Sequence, residues 1–302
     1  MKKETTQTGK KKSHTVRNIL LIVLGVFLVS QVFVYWRFLR KQPVKSFAEA
    51  THSYKSFELN CDNEGRKIYG IAYVPDDVDG RLPTVIMSHG YGAALETWKE
   101  TAESLAMSGI ACYTFDFCGG NEYGRSDGTM LEMTAFTEVD DLLHVIEQIK
   151  TQDFVDSDNL FLMGESLGGM VTAITATQTD GIKGLVLYYP ALCIPDNVRA
   201  EYSSVDEIPD EVPTLRHTVG KAYYSELLDY DVYQVIGDYK GPVLIMHGTA
   251  DNIVDYSYSE RAVHTYENAE LVPFKGEMHG FSAGGRVTAA NMAYDFISDL
   301  IG

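Results

Sequence analysis

From residue 84 onward, short apolar runs alternate with amphipathic stretches. The runs are TVIMS (84–88), IACYTFDF (110–117), NLFLM (159–163), GLVLYYP (184–190), PVLIM (242–246) and AELVPF (269–274). Each is five to eight residues long, the length and composition of strands buried on both faces. Between them, TWKETAESLAMS (97–108) and FTEVDDLLHVIEQI (136–149) repeat apolar residues at three- and four-residue intervals and predict helices. In the second, Val139, Leu142, Leu143, Ile146 and Ile149 share one face. Upstream, SFELNCDNEGRKIYGIAYVP (56–75) predicts a β-hairpin turning at Asp62–Gly65. Alternating strand and helix predicts an α/β fold, a mostly parallel sheet with helices on both faces. Ligands of such sheets bind beyond the C-terminal strand ends. Residues 195–240 break the rhythm, being too long for a simple crossover and rich in Tyr and acids, and predict a small cap insertion over the sheet edge.

The N-terminus follows another pattern. The run ILLIVLGVFLVSQVFVYW (19–36) contains no charge and ends in Tyr35 and Trp36. Eighteen helical residues extend about 27 Å, close to the hydrocarbon thickness of a bilayer, and terminal aromatics suit its interface. The chain is therefore expected to divide into a basic cytoplasmic tail (1–18), a transmembrane anchor (19–36), a linker (37–55) and one folded domain (56–302). A cleaved signal peptide competes with this reading, but its small-residue site, AEA (48–50), lies more than ten residues past the run. Six Lys/Arg precede the run and four follow it. That bias puts the tail in the cytoplasm and the domain outside, as a single-pass protein of the cell membrane.

Charge sharpens the division. Residues 1–45 carry ten Lys/Arg and one Glu, so a whole-chain charge of −17 leaves −26 on the remainder. Such a domain repels nucleic acid, which is excluded as a partner, and confines the basic cluster to an anchoring role. Cys61, Cys112, Cys118 and Cys193 have no metal-type spacing and read as core thiols.

Two pentapeptides fit G-x-S-x-G, GRSDG (124–128) and GESLG (164–168). The pattern has chemical meaning only where a strand enters it and a helix leaves it, which pushes the serine hydroxyl out at the strand end. Ser166 follows NLFLM and precedes GGMVTAITAT, whereas Ser126 sits in a Gly/Asn/Asp run that reads as loop. Ser166 is the candidate nucleophile. In this setting an acid and then a histidine follow in the chain. His279 lies on a loop just past the last apolar run; His247 precedes the best acid, and His264 falls in an amphipathic helix. Asp251, four residues beyond PVLIM and His247, is the candidate orienting acid. The N–H of Leu167 and that of Tyr91, in HGYG after TVIMS, are the candidate oxyanion donors. His89 reads as a residue that shapes that loop.

HGYG, GESLGG, HGTADNIV and MHGF, in this order over residues 56–302, resemble the α/β-hydrolase superfamily. DFCGGNEYGRSDG followed by MTAFTEVDDLLHVI resembles its cinnamoyl/feruloyl esterase group. The resemblance implies an α/β-hydrolase fold with a small cap and ester hydrolysis through an acyl-enzyme. It implies no metal and no organic cofactor. The substrates implied are aromatic or short-chain acyl esters, contacted by Asp196 in CIPDNV and Tyr223 in GKAYYSEL. Monoacylglycerol lipases and serine aminopeptidase-like enzymes share much of the pattern, so a small ester and a small peptide both remain open. A membrane-tethered binding domain without activity is the reading from another class.

Overall fold

A computed structural model describes residues 51–214 and 217–301. The strands are β1 (Tyr54–Glu58), β2 (Cys61–Asn63), β3 (Arg66–Ile68), β4 (Gly70–Pro75), β5 (Leu82–Ser88), β6 (Ala111–Phe115), β7 (Val155–Glu165), β8 (Ile182–Tyr188), β9 (Glu211–Pro213), β10 (Thr218–Gly220), β11 (Val243–Gly248) and β12 (Ala269–Phe274). The helices are α1 (Lys99–Ala106), α2 (Ala135–Lys150), α3 (Ser166–Thr175), α4 (Ile194–Glu201), α5 (Lys221–Ser225), α6 (Val232–Ile236), α7 (Ser257–Thr265) and α8 (Ala283–Ile301).

Eight strands form one sheet in the order β1-β4-β6-β5-β7-β8-β11-β12. Neighbours from β6 to β12 are parallel, while β4 runs antiparallel to β6 and β1 antiparallel to β4. β1 to β4 are the predicted hairpin, tipped by Glu64 and Gly65 at φ +51 and +88. A two-residue turn of that hand matches the twist of its strands. β1 begins two residues before the expected start, and the N–H groups of Thr51 and His52 both bond to the Met107 carbonyl at 3.1 Å. Residues 51–55, read as linker because they lack an apolar pattern, are tied to the domain by backbone bonds instead.

Apolar faces cover the sheet on both sides. Trp98, Ala102 and Leu105 near or on α1 pack with Ala289, Ala293 and Ile297 of α8 on one face; α2 and α3 line the other. In α2 the buried apolar residues are Ala135, Val139, Leu142, Val145, Ile146 and Ile149, with Leu143 only partly covered. Val145 thus takes the place expected for Leu143, because at about 100° per residue the buried stripe is centred on the side that also carries Glu138, Asp141 and Ile149.

Residues 194–240 hold α4, the β9–β10 hairpin, α5 and α6. Phe136 of α2 packs on Tyr230 at 4.9 Å between ring centroids, and the Tyr239 hydroxyl donates to the Ile182 carbonyl at 3.1 Å. The last helix of the segment, α6, lies against α3 and α7 and belongs to the helical layer. The expected anchor, residues 19–36, and the basic tail lie outside the described residues. Among the described residues no helix is long and apolar enough to cross a membrane.

Candidate active site

β5 connects to β6 on one side of the sheet, while β7, its neighbour on the other side, connects to β8. Chains leave these two strands in opposite directions and open a crevice at their C-terminal ends. β7 runs directly into α3, and the turn falls on Ser166 at φ +53. L-residues avoid that left-handed region, so the surrounding packing must hold it. A Cβ on Gly168 would lie 2.2 Å from the His89 carbonyl oxygen, and one on Gly164 would lie 2.4 Å from that of Gly168. Glycine is required at both positions because backbone meets backbone there.

The Ser166 hydroxyl lies 3.0 Å from His279 Nε2, and His279 Nδ1 lies 2.8 Å from Asp251 Oδ2. His279 comes from the loop after β12, Asp251 from the loop after β11. Burial pushes the Asp251 carboxyl up, but hydrogen bonds from His247, His279 and the amides of Val254 and Ile253 outweigh it. They hold it well below the usual carboxylate range, so it is ionised and acts only as acceptor. His279 Nδ1–H therefore donates to it, leaving Nε2 free to accept the Ser166 proton.

His247, set aside as a base because it precedes the acid, has another place. Its Nε2 lies 3.2 Å from Asp251 Oδ2 and 3.1 Å from the Val254 carbonyl, and its Nδ1 lies 2.7 Å from Ser259 Oγ. It is fully buried and helps fix the carboxylate. Its signal in the sequence was the four-residue spacing to Asp251 at a strand end.

Gly90 brings the loop after β5 against the turn, where an added Cβ would stand 3.2 Å from Ser166 Cβ. The backbone N–H groups of Tyr91 and Leu167 have no acceptor among the described residues. Leu167 is in the first turn of α3, where such groups are unpaired and the helix dipole is positive. His89 fixes the loop: its Nε2 accepts from the Phe117 amide at 3.2 Å, so Nδ1–H donates to the Gly90 carbonyl at 2.9 Å. Ser126 lies away from this cluster, donating to the Asp116 carbonyl and accepting from the Tyr69 amide. His264 is exposed on α7.

Tyr91 also forms the floor beneath the β9–β10 segment. Its hydroxyl donates to Thr214 Oγ1 at 3.0 Å, and its ring lies 5.9 Å from both Tyr223 and His217. Tyr223 is buried, and its hydroxyl has no hydrogen-bond partner among the described residues. Burial pushes it well above the usual phenol range, with Glu138 adding to the effect. Both oxygens of the buried Glu138 carboxyl lack partners among the described residues; burial, with Asp141 nearby, drives this group well above the usual carboxylate range. Asp196 is partly exposed on α4 and paired with Arg199, whose guanidinium also reaches the Tyr230 carbonyl at 2.9 Å. No three His, Cys, Asp or Glu side chains among the described residues converge as a metal site needs.

Residues 97–302 match the prolyl oligopeptidase family. The chain is 30% identical over 138 residues to caffeoylshikimate esterase of Arabidopsis thaliana, covering 44% of this chain and 40% of that protein. It is 23% identical over 221 residues to proline iminopeptidase of Saccharolobus solfataricus, covering 72% and 63% respectively. The chain thus spans less than two thirds of either relative. Est1E from Butyrivibrio proteoclasticus, solved with ferulic acid bound, superposes with a TM-score of 0.73 at 27% identity, over 80% of this chain and 99% of that one.

Proposed function

Because the chain belongs to the prolyl oligopeptidase family and has the α/β-hydrolase fold, we propose that it is a serine hydrolase that cleaves carboxylic esters of small molecules. The observation that carries this reading is the Ser166–His279–Asp251 relay, at 3.0 and 2.8 Å, beside two unpaired backbone N–H groups. On this reading His279 takes the Ser166 proton as Oγ attacks the carbonyl carbon. The Tyr91 and Leu167 amides stabilise the oxyanion, and the leaving alcohol departs with the proton from His279. Water then enters by the same route and releases the acid. The same relay cuts amides, and family membership keeps a peptide in view. Against it, Asp196, one of four cap acids (with Glu201, Asp206 and Glu207) that could hold a substrate amine, is paired with Arg199.

Within esters, the reading favours an aromatic acyl group. Two relatives carry ferulic acid or a caffeoyl ester in their names, and here Tyr91 and Tyr223 offer a pair of ring faces with an unpaired phenol. A flat ring stacks on such faces, and its far hydroxyl suits the Tyr223 hydroxyl. Tyr223→Phe should slow hydrolysis of a hydroxycinnamate ester about tenfold, as for one lost buried hydrogen bond, and leave p-nitrophenyl acetate nearly unaffected. Equal losses on both substrates would reduce Tyr223 to a packing residue. We further take residues 19–36 as a single-pass membrane anchor with the enzyme outside the cytoplasm, on the strength of the uncharged run and its basic flanks.

A further inference from the structure

We propose that Glu165, Tyr189 and Arg286 form a clamp that holds the His279 ring in line with Ser166. The inference rests on the hydrolase reading and extends it to positioning residues outside the relay. The Tyr189 ring lies beside the His279 imidazole, 4.7 Å between centroids at 58°. Its other contacts leave it little freedom. The backbone N–H of Tyr189 donates to the Met246 carbonyl at 2.8 Å, its hydroxyl donates to Glu165 Oε2 at 2.7 Å, and Phe281 meets it edge-on at 4.8 Å. Phe281 in turn stacks on Phe274 at 4.6 Å. Tyr189 and Phe281 take φ of +36 and +52, a region bulky residues adopt only where packing enforces it.

Glu165 is the residue before the nucleophile, so one hydrogen bond links the strand that carries Ser166 to the ring that supports its base. The Glu165 carboxylate is buried, and Arg286 of α8 stands 3.4 Å from it, with its other nitrogen 3.5 Å from the Thr97 carbonyl. An aromatic face stabilises a neighbouring cation through its quadrupole, and the proposed reaction makes His279 a cation at each proton transfer. The other charged or titratable groups around His279 are Asp251 at its Nδ1, His247 beyond that carboxylate, and Glu277 on its own loop, bonded to Ser282.

The His279 ring signals, read by NMR on histidine-labelled protein and assigned by their loss in His279→Gln, test the clamp without turnover. In Tyr189→Leu they should broaden as the imidazole loses its fixed orientation. Hydrolysis should lose about tenfold in kcat with little change in KM, as for a slightly misplaced base. Tyr189→Phe keeps the ring but frees it from Glu165, and Glu165→Leu should reproduce its loss. Glu165→Gln, whose amide oxygen still accepts from Tyr189, should recover most of the rate. The double variant Tyr189→Phe/Glu165→Leu should be no worse than either single, which decides the point even where Tyr189→Leu does not fold. Ring signals that stay sharp in folded Tyr189→Leu, or additive losses in the double variant, overturn the clamp. Broadened ring signals in a protein that fluorophosphonate does not label keep the clamp and remove the hydrolase reading.

Discussion

Ser166, Asp251 and His279 were legible because each follows an apolar run, and a parallel sheet gathers its strand ends along one edge. The structure puts the three in hydrogen-bond contact. Of their supports, only His247 left a sign in the sequence, its four-residue spacing to Asp251. Glu165 and Tyr189 meet across strands whose order no local pattern states, and the Asp196–Arg199 pair depends on the helix that carries both residues. His89 lends itself to a pH test. Burial pushes its ring down, against the pull of the Gly90 carbonyl and nearby carboxylates. With the folded value depressed, the unfolded chain binds the extra proton first. The stability that neutral His89 supplies is therefore fully present above about pH 6.5 and is lost as pH falls below it. His89→Gln should be less stable than the wild type at about pH 7.5, and urea denaturation should find the gap narrower at about pH 5.5. A gap that widens on acidification contradicts a neutral buried ring.

At the scale of elements, each of the six apolar runs from residue 84 onward holds a strand; β7 extends its run upstream to Val155, where polar flanks join the ladder, while β6 stops at Phe115, short of the run's end. What the runs could not convey is the order in which they pair, since the periodicity of a strand carries no information about its neighbours. The start of α2 was also missed. Thr134 accepts from the Phe136 and Thr137 amides, and Thr137 Oγ1 accepts from the Thr134 amide, a reciprocal cap with Thr where Glu or Gln is the usual sign. Thr134→Ala should destabilise the domain by about 1 kcal/mol and leave the pH dependence of stability as it was. Denaturation midpoints with unchanged slope would report this. An undiminished midpoint would mean that the cap contributes nothing beyond the packing of α2.

At the scale of the molecule, the chain joins a basic N-terminal segment to a strongly acidic remainder. Hydropathy and charge suggest an anchor at residues 19–36, which lie outside the described residues. If residues 19–36 span the membrane with the domain outside, protease added to intact cells should remove the domain and leave a small basic stub. Full protection until lysis would reverse the orientation, and a released form beginning near residue 51 would favour a signal peptide. Fold and family accommodate several chemistries, so the functional claim rests on one activated hydroxyl. Its most direct test is to treat the protein with a fluorophosphonate and map the adduct by mass spectrometry. The account predicts a single adduct on the peptide that contains Ser166, absent in Ser166→Ala and retained in Ser126→Ala. Labelling that persists in Ser166→Ala, or that falls on another residue of the wild type, would contradict it.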